Sequence, residues 1–306
     1  MNPAFSVIFL TTLIGAAQGL FLALFGVQLA GLASPEFLAA GGVVALALTV
    51  AGLVSSFFHL GRPERAWRTA TMWRTSWLSR EVIALPLFMG LLFLWTCAHA
   101  LGTGFTLALG VLTALAALLL FVCTGMIYAC IKFLQEWASP FTLVNYFLLG
   151  VASGCTLAAA LAGLKAPELA GLLGVAALFF TTAGLVSRGL SLMRNSRLVP
   201  RSTLQSAIGI RHPRITQRAQ GFMGGSFNTR EFFHGKTPGA LRGVKWIFLV
   251  AAFVLPLVLL AMGLASESSG VLVVAFVVQY LGLLAERWFF FAQANHPQNL
   301  YYQTVA

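Results

Sequence analysis

Eight long apolar segments, separated by short polar turns, dominate the pattern of hydrophobic and polar positions along this chain. Each holds about 19–28 residues, enough for a helix to cross a hydrocarbon layer ~30 Å thick with some tilt. None alternates with the period of two that a barrel strand requires, and lipid offers the backbone no hydrogen bonds, so the spans must be helices. The pattern therefore predicts an all-α, polytopic membrane bundle of eight transmembrane helices, with approximate limits Phe5–Leu32, Phe37–Phe58, Val82–Leu101, Phe105–Ile131, Phe141–Leu164, Leu169–Ser187, Trp246–Ser266 and Gly270–Phe291.

Most connections between the spans are short and rich in Gly, Pro and Ser, which is typical of turns. The exception is a long basic segment at about residues 188–243. We expect residues 1–306 to form a single integral membrane domain in which this segment is a loop. The spans show no obvious short repeat, so a duplication into two four-helix halves stays open.

Composition and charge define the environment and indicate an orientation. Of the 306 residues, 59% are hydrophobic and 9% are charged, whereas a soluble domain carries about 25% charged residues. Fifteen of the 19 Lys and Arg residues lie in Leu60–Arg80 and Arg188–Arg242, which eight spans place on the same side as both termini. The positive-inside rule therefore puts the termini and basic loops in the cytoplasm, with the chain in a bacterial inner membrane. An acidic subunit docked on either face would select the same arginines, so that alternative stays open.

The sequence shows no pattern of residues typical of a metal site or of haem ligands. The four cysteines lie inside apolar runs and form no Cys-x-x-Cys pair, so we expect neither a disulfide nor a metal site. A b-type haem needs axial ligands that face each other across helices. His99 lies at the opposite membrane face from His59, and the other three histidines fall in loops or the tail. We therefore predict no haem.

The densest chemical signal is the basic connection between the second and third spans, which carries three tryptophans. His59 ends one span and Glu81 opens the next, so we expect the two side chains to face each other across one loop at the headgroup level. Ser79 is the expected N-cap of the third helix. One interpretation is an interfacial belt, with Trp anchors, arginines on lipid phosphate and Glu81 as a charge at a helix start.

The second interpretation of this connection is a quinone pocket. A quinone requires an apolar cleft, hydrogen-bond donors for two carbonyl oxygens and a group that moves protons. The imidazole of His59 can donate to a carbonyl and titrates near neutral pH. A carboxylate at the membrane border, such as Glu81, is a functional candidate by default because ionisable groups are costly there.

Two further segments suit contacts with partners or membrane. The long loop contains Gly221–Gly235, in which aromatic residues stand among Gly and Arg, a composition that favours docking. The alternative is a solvated loop. The C-terminal segment Glu286–Tyr302 has the composition of a helix end with aromatic anchors, and Glu286 and Arg287 are expected to pair with polar groups at the border. The predicted docking residues are Arg65, Arg68, Phe227, Asn228, Arg230, Phe232 and Phe233.

These segments together resemble a known family. The motifs at residues 59–63, 78–81, 224–233 and 286–302 are similar to those of the anchor subunit of dimethyl sulfoxide reductase. That group includes the membrane subunit of cytoplasmic sulfite:quinone oxidoreductase, which is the closest in type. The resemblance covers essentially the whole chain.

The resemblance implies a haem-free quinone-binding anchor, which uses menaquinone or ubiquinone and contains no metal. It implies a molybdopterin catalytic subunit and an iron–sulfur subunit as partners, membrane lipid as surroundings, and no nucleic acid. The family's functional His and Glu match His59 and Glu81, and Arg62 is a weaker quinone contact. The cytoplasmic basic face favours quinone reduction coupled to sulfite oxidation. The alternatives are a quinol-oxidising anchor, a secondary transporter and a passive scaffold.

Overall fold

The computed structural model describes residues 1–216, 218 and 232–300. Within these residues, eight helices are long and apolar enough to cross a membrane, which confirms the predicted all-α bundle. We number these spans α1 to α8, with bounds α1 Phe5–Leu29, α2 Pro35–Ser56, α3 Trp77–Ala100, α4 Thr106–Ala129, α5 Pro140–Lys165, α6 Pro167–Ser196, α7 Pro238–Ala265 and α8 Ser269–Ala292.

Several spans begin with the same local chemistry, a hydroxyl residue followed by proline. The side chains of Ser34, Ser139 and Thr237 each accept a hydrogen bond from a backbone N–H in the first turn of their helix. Proline follows at the first helical position, where its missing N–H would have no intrahelical partner. These starts fix where α2, α5 and α7 enter the bundle.

The boundaries of three spans differ from the sequence prediction. Helix α6 continues to Ser196 rather than ending near Ser187, and α7 begins at Pro238 rather than Trp246. Helix α3 begins at Trp77, and its N-cap is Ser76, not Ser79. The predicted spans stop where charge begins, whereas the helices run on through charged residues such as Arg188, which pairs with Glu286.

The connection between α2 and α3 is also more regular than a loop. A 3-10 turn at Phe57–His59 extends α2, and a 3-10 helix covers Pro63–Met72. Three arginines lie over the rings of tryptophans that are close to them in sequence. Arg68 lies over Trp67 and Arg74 over Trp73 in this connection, and Arg80 lies over Trp77 in the first turn of α3. This is the arrangement expected of an interfacial belt.

Helices α1 and α5 form the closest contact at the centre of the bundle. Each carries two glycines one turn apart, Gly15 and Gly19 on α1 and Gly150 and Gly154 on α5. A Cβ at Gly19 would overlap the carbonyl of Gly150, and one at Gly154 would overlap the backbone of Gly19. Small residues at this spacing let two membrane helices approach until their backbones touch.

Helices α2 and α6 reveal an internal repeat. When Pro35 is aligned with Pro167, more than half of the positions up to Ser55 are identical to their counterparts up to Ser187. The shared residues are Pro35, Glu36, Gly42, Val43, Ala45, Leu46, Thr49 and Ala51–Ser55, which match Pro167, Glu168, Gly174, Val175, Ala177, Leu178, Thr181 and Ala183–Ser187. The duplication that the sequence analysis left open is therefore present.

The helix packing follows the same repeat. Helix α1 contacts α2 and α4 as α5 contacts α6 and α8, while α1 and α5 meet between the two halves. Because each half has four helices, both halves begin on the same side of the membrane and have the same orientation in it. The seam between the repeats is thus lined by α1 and α5.

Candidate functional site

Glu81 lies in the second turn of α3, about 6 Å along the helix from Trp77. Its carboxylate accepts a hydrogen bond from the hydroxyl of Thr124 on α4, at 2.5 Å. The residue is partly buried, so it borders both the basic side of the membrane and the interior of the bundle. Because α3 starts at Trp77, Glu81 does not open the helix as predicted but faces a neighbouring span.

His59 and Arg62 occupy the outer side of this region. His59 is the last residue of the 3-10 turn after α2, and Arg62 precedes the 3-10 helix; both are exposed. No hydrogen bond or ion pair of the described residues joins His59 to Glu81, whose carboxylate contacts Thr124 instead. The expectation that the two side chains face each other across this connection, with a ligand between them, stays a prediction.

A small polar cavity lies behind Glu81, at the seam between the two repeats. Inside this cavity, the centre of a water molecule can occupy a volume of about 20 Å³. The lining comes from α1, α3, α4, α5 and α8, and its polar members are Thr11, Thr12, Gln18, Glu81, Thr124, Tyr146, Ser153 and Arg287. Apart from Glu81 and Arg287, none of these residues is charged, so the cavity links one carboxylate and one guanidinium.

Arg287 belongs to a buried cluster of three charges on α6 and α8. Arg188 Nε lies 2.7 Å from Glu286 Oε1, and Arg287 Nε lies 3.9 Å from Glu286 Oε2. Arg188 and Glu286 are each 1% exposed. Both lie well inside the helix ends, about 12 Å for Arg188 and about 9 Å for Glu286. Charges at such depth persist only when they are paired, and they mark functional candidates.

Aromatic and amide groups complete the surroundings of this cluster. The guanidinium of Arg287 lies 3.7 Å from the centre of the Tyr146 ring, and the ring of Tyr128 stacks on Tyr146 from another side. Ser187 donates a hydrogen bond to Asn145 at 2.7 Å. The hydroxyl of Tyr146 is buried and has no hydrogen-bond partner of normal geometry within the described residues.

The sequence analysis missed most of this interior site. It assigned Arg188 to a loop, although the residue lies inside α6, and it did not consider Tyr146, Gln18 or Thr124. The expectation that Glu286 and Arg287 pair with polar groups is confirmed, by Arg188 and by each other. The pairs lie inside the bundle, however, and not at the membrane border as predicted. One signal was available: Arg188 stands where the repeat places Ser56 in α2, so a charge replaces a small polar residue in an otherwise matching helix.

The predicted docking residues lie on the basic side where the structure describes them. Arg65 and Arg68 belong to the 3-10 helix, and Arg65 is exposed and 3.9 Å from Glu64. Phe232 stacks on His296 at 4.0 Å between ring centres, and Phe233 is partly buried. Phe227, Asn228 and Arg230 lie outside the described residues. No group of three or more potential metal ligands occurs among the described residues.

This arrangement defines a polytopic membrane protein with an ionisable polar site near one heavily basic face. The family of DMSO reductase anchor subunits (DmsC) matches residues 1–293, and the chain belongs to this family. A sulfite dehydrogenase subunit of Allochromatium vinosum is 52% identical to the chain over 325 residues, covering 100% of both proteins. The family resemblance predicted from the motifs is thus confirmed.

Proposed function

We propose that this chain is the quinone-reactive membrane anchor of an oxidoreductase complex, and that Glu81 exchanges protons with the bound quinone. The observation that carries the proposal is the position of Glu81, a partly buried carboxylate at the border between the basic face and an interior polar cavity. An ionisable group is costly to keep at a membrane border and is therefore a functional candidate by default. A carboxyl group in that position can exchange protons.

The size of the cavity limits where a quinone ring would lie. About 20 Å³ holds a water molecule but not a six-membered ring. The ring would therefore lie on the loop side of Glu81, toward His59 and Arg62, which are exposed and able to donate hydrogen bonds. In this arrangement His59 donates to one carbonyl oxygen, Arg62 contacts the head group, and Glu81 supplies or removes a proton.

The basic face is the proposed docking surface for the partners of the complex. Its arginines would attract an acidic iron–sulfur subunit, since complementary charge favours docking and speeds encounter. A molybdopterin subunit would bind to the complex through that iron–sulfur subunit. The relative is a sulfite dehydrogenase subunit, which favours sulfite as the electron source and quinone reduction as the direction.

One observation favours a second candidate, a secondary transporter. Transporters built from two repeats place their sites at the repeat interface, and the cavity here lies at such a seam. The charged groups at the seam, however, are held near one face, whereas transport sites lie near the bilayer midplane.

Titration of the purified complex with quinone separates these functions. The redox proposal expects saturable quinone reduction, which His59→Ala removes while the soluble subunits stay bound. His212→Ala, a change in the exposed long loop, is the matched control and should leave the kinetics unchanged. Wild-type quinone kinetics in His59→Ala would remove His59 from the site, and a complex without any quinone reduction would refute the redox function.

A further inference from the structure

The cavity behind Glu81 is built from equivalent positions of the two repeats. Alignment of Gly15 with Gly150 gives four pairs of lining residues: Thr11 with Tyr146, Ile14 with Leu149, Gly15 with Gly150, and Gln18 with Ser153. Equivalent positions of α1 and α5 therefore line the same cavity. The remaining wall differs between the halves, because α3 contributes Glu81 and α8 contributes Arg287. The first repeat thus contributes a carboxyl group to the wall of this small cavity, and the second contributes a guanidinium group.

Two donors on the second-repeat side of the cavity make only weak contacts with the protein: Arg287 Nε lies 3.9 Å from Glu286 Oε2, and the Tyr146 hydroxyl is near Tyr128 and Arg287. The Tyr146 hydroxyl and Arg287 Nε make no hydrogen bond of normal geometry within the described residues, although both residues are 4% exposed. Leaving a buried donor unpaired costs about 1–3 kcal/mol, and more for a charged group. An oxygen acceptor placed in the cavity would remove this cost.

The cavity has room for one such acceptor. About 20 Å³ is open to the centre of a water molecule, whereas one bound water requires at least about 10–15 Å³ and two to four polar partners. Glu81, Tyr146 and Arg287 supply partners of both kinds, because the carboxylate accepts hydrogen bonds and the other two groups donate them.

We propose that a single water molecule occupies this cavity and connects Glu81 of the first repeat to Tyr146 and Arg287 of the second. This water, held by the second repeat, is then the group through which Glu81 regains its proton. This proposal rests on the proposed function, in which Glu81 exchanges protons with a quinone.

The proton balance of this step is simple. Reduction of a quinone to quinol requires two electrons, supplied by the docked redox subunit, and two protons, one for each carbonyl oxygen. Glu81 donates one of these protons and becomes a carboxylate, and His59 donates the other and regains it from solvent at the exposed connection. The water passes a proton to that carboxylate and takes another from solvent on the basic side, so it is unchanged after the turnover. Tyr146 orients the water, and the Arg287 cation stabilises the carboxylate while it is charged.

Tyr146→Phe tests the proposal because it removes one oxygen, which makes no hydrogen bond of normal geometry within the described residues. Tyr280→Phe is the matched control: Tyr280 does not line the cavity, and its hydroxyl contacts Thr12 at 3.2 Å. Thr12 does line the cavity but also donates to the Ile8 carbonyl at 2.8 Å, so its position does not depend on Tyr280. In the intact complex, we expect Tyr146→Phe to lower quinone turnover on the order of 10-fold or more and Tyr280→Phe to leave it near wild type.

Infrared difference spectra of the complex, recorded on chemical reduction and reoxidation, provide a readout independent of turnover. Glu81→Gln identifies the carboxyl band of Glu81 in these spectra. We expect that band to shift in Tyr146→Phe and to stay in place in Tyr280→Phe. A purely structural role of Tyr146 would leave the band of a folded variant unchanged.

Gly15→Ala provides a second variant that does not depend on tyrosine. It adds a methyl group to the cavity wall, and the added carbon would meet only Gly150 Cα, at 3.5 Å, an ordinary contact. We expect it to displace the water and shift the same carboxyl band. Wild-type turnover and an unshifted band in both Tyr146→Phe and Gly15→Ala would overturn the water relay. Absence of quinone turnover in the wild-type complex would instead overturn the proposed function.

Discussion

Glu286 holds two arginines in the interior of a helical bundle that contains few other charges. Arg188 lies 2.7 Å from it and Arg287 lies 3.9 Å from it, on α6 and on α8 itself. Burying a charge is costly, and a carboxylate shared by two guanidinium groups recovers part of that cost through attraction between the charges. The cluster therefore ties α6 to α8 and fixes Arg287 at the cavity wall.

Glu286→Gln should consequently destabilise the protein by about 3–5 kcal/mol, because two buried cations lose their partner. The measurement is thermal unfolding of the purified protein in detergent. Glu267→Gln is the control, since it removes a carboxylate from the exposed turn before α8. A Glu286→Gln variant that unfolds at the wild-type temperature would show that the cluster does not hold α6 and α8 together.

The residues of the site differ in how far the sequence reveals them. Glu81 and His59 could be selected from sequence because each is an ionisable group at the end of an apolar run. Tyr146 and Gln18 could not, because a single polar residue in an apolar helix does not indicate which neighbour it faces. Arg188 was misplaced for a related reason: a charge usually ends a span, and only the partner on α8 explains why this helix continues.

At the scale of elements, the contact between α1 and α5 controls how the repeats meet. The glycine pairs Gly15–Gly19 and Gly150–Gly154 allow the two backbones to touch. Larger side chains at Gly19 or Gly154, where an added carbon would overlap the facing backbone, would push the helices apart and open the seam that contains the cavity. The element contact and the site are thus parts of the same arrangement.

Gly19→Ala should therefore reduce the yield of folded protein sharply, since its added carbon would overlap the backbone of α5. Gly26→Ala on the same helix is the matched control, because a carbon added there meets nothing within 4 Å. Size-exclusion chromatography of the detergent-solubilised protein measures both variants. Equal yields and equal elution profiles would contradict the close helix contact as a requirement for folding.

The existence and order of the elements could be predicted from sequence, but some of their ends could not. Apolar length alone identifies all eight spans because lipid imposes helices on such segments. The start of α7 at Pro238 was missed, since Arg242 and Lys245 suggested a loop. Long cationic side chains near a helix end can extend toward the membrane surface, so a helix need not stop where they begin.

At the scale of the whole molecule, the two repeats have become different. The first repeat retains α1 and α2, and the second retains their counterparts α5 and α6. The first repeat carries Glu81, and the second carries the cluster of three charges. When Glu81 is ionised, the four buried or partly buried groups, Glu81, Arg188, Glu286 and Arg287, sum to zero formal charge, which limits the electrostatic cost of that state.

The orientation of the molecule is a separate prediction. Charge bias places the basic loops in the cytoplasm, so Thr71 should face the cytoplasm and Thr103 the opposite side; both residues are exposed. In a variant with the exposed Cys130 replaced by Ser, a membrane-impermeant thiol reagent should label Thr103→Cys in spheroplasts. Thr71→Cys should react only after the membrane is disrupted. The reverse labelling pattern would place the basic face outside.

The most direct measurement for the account as a whole is the rate at which quinone reoxidises the purified complex after chemical reduction. With the partner subunits bound, Glu81→Gln should slow this step on the order of 100-fold. Glu64→Gln, an exposed carboxylate of the same connection, should reoxidise like wild type. A Glu81→Gln complex that passes electrons to quinone at the wild-type rate would contradict the assignment of Glu81 as the proton-exchanging group.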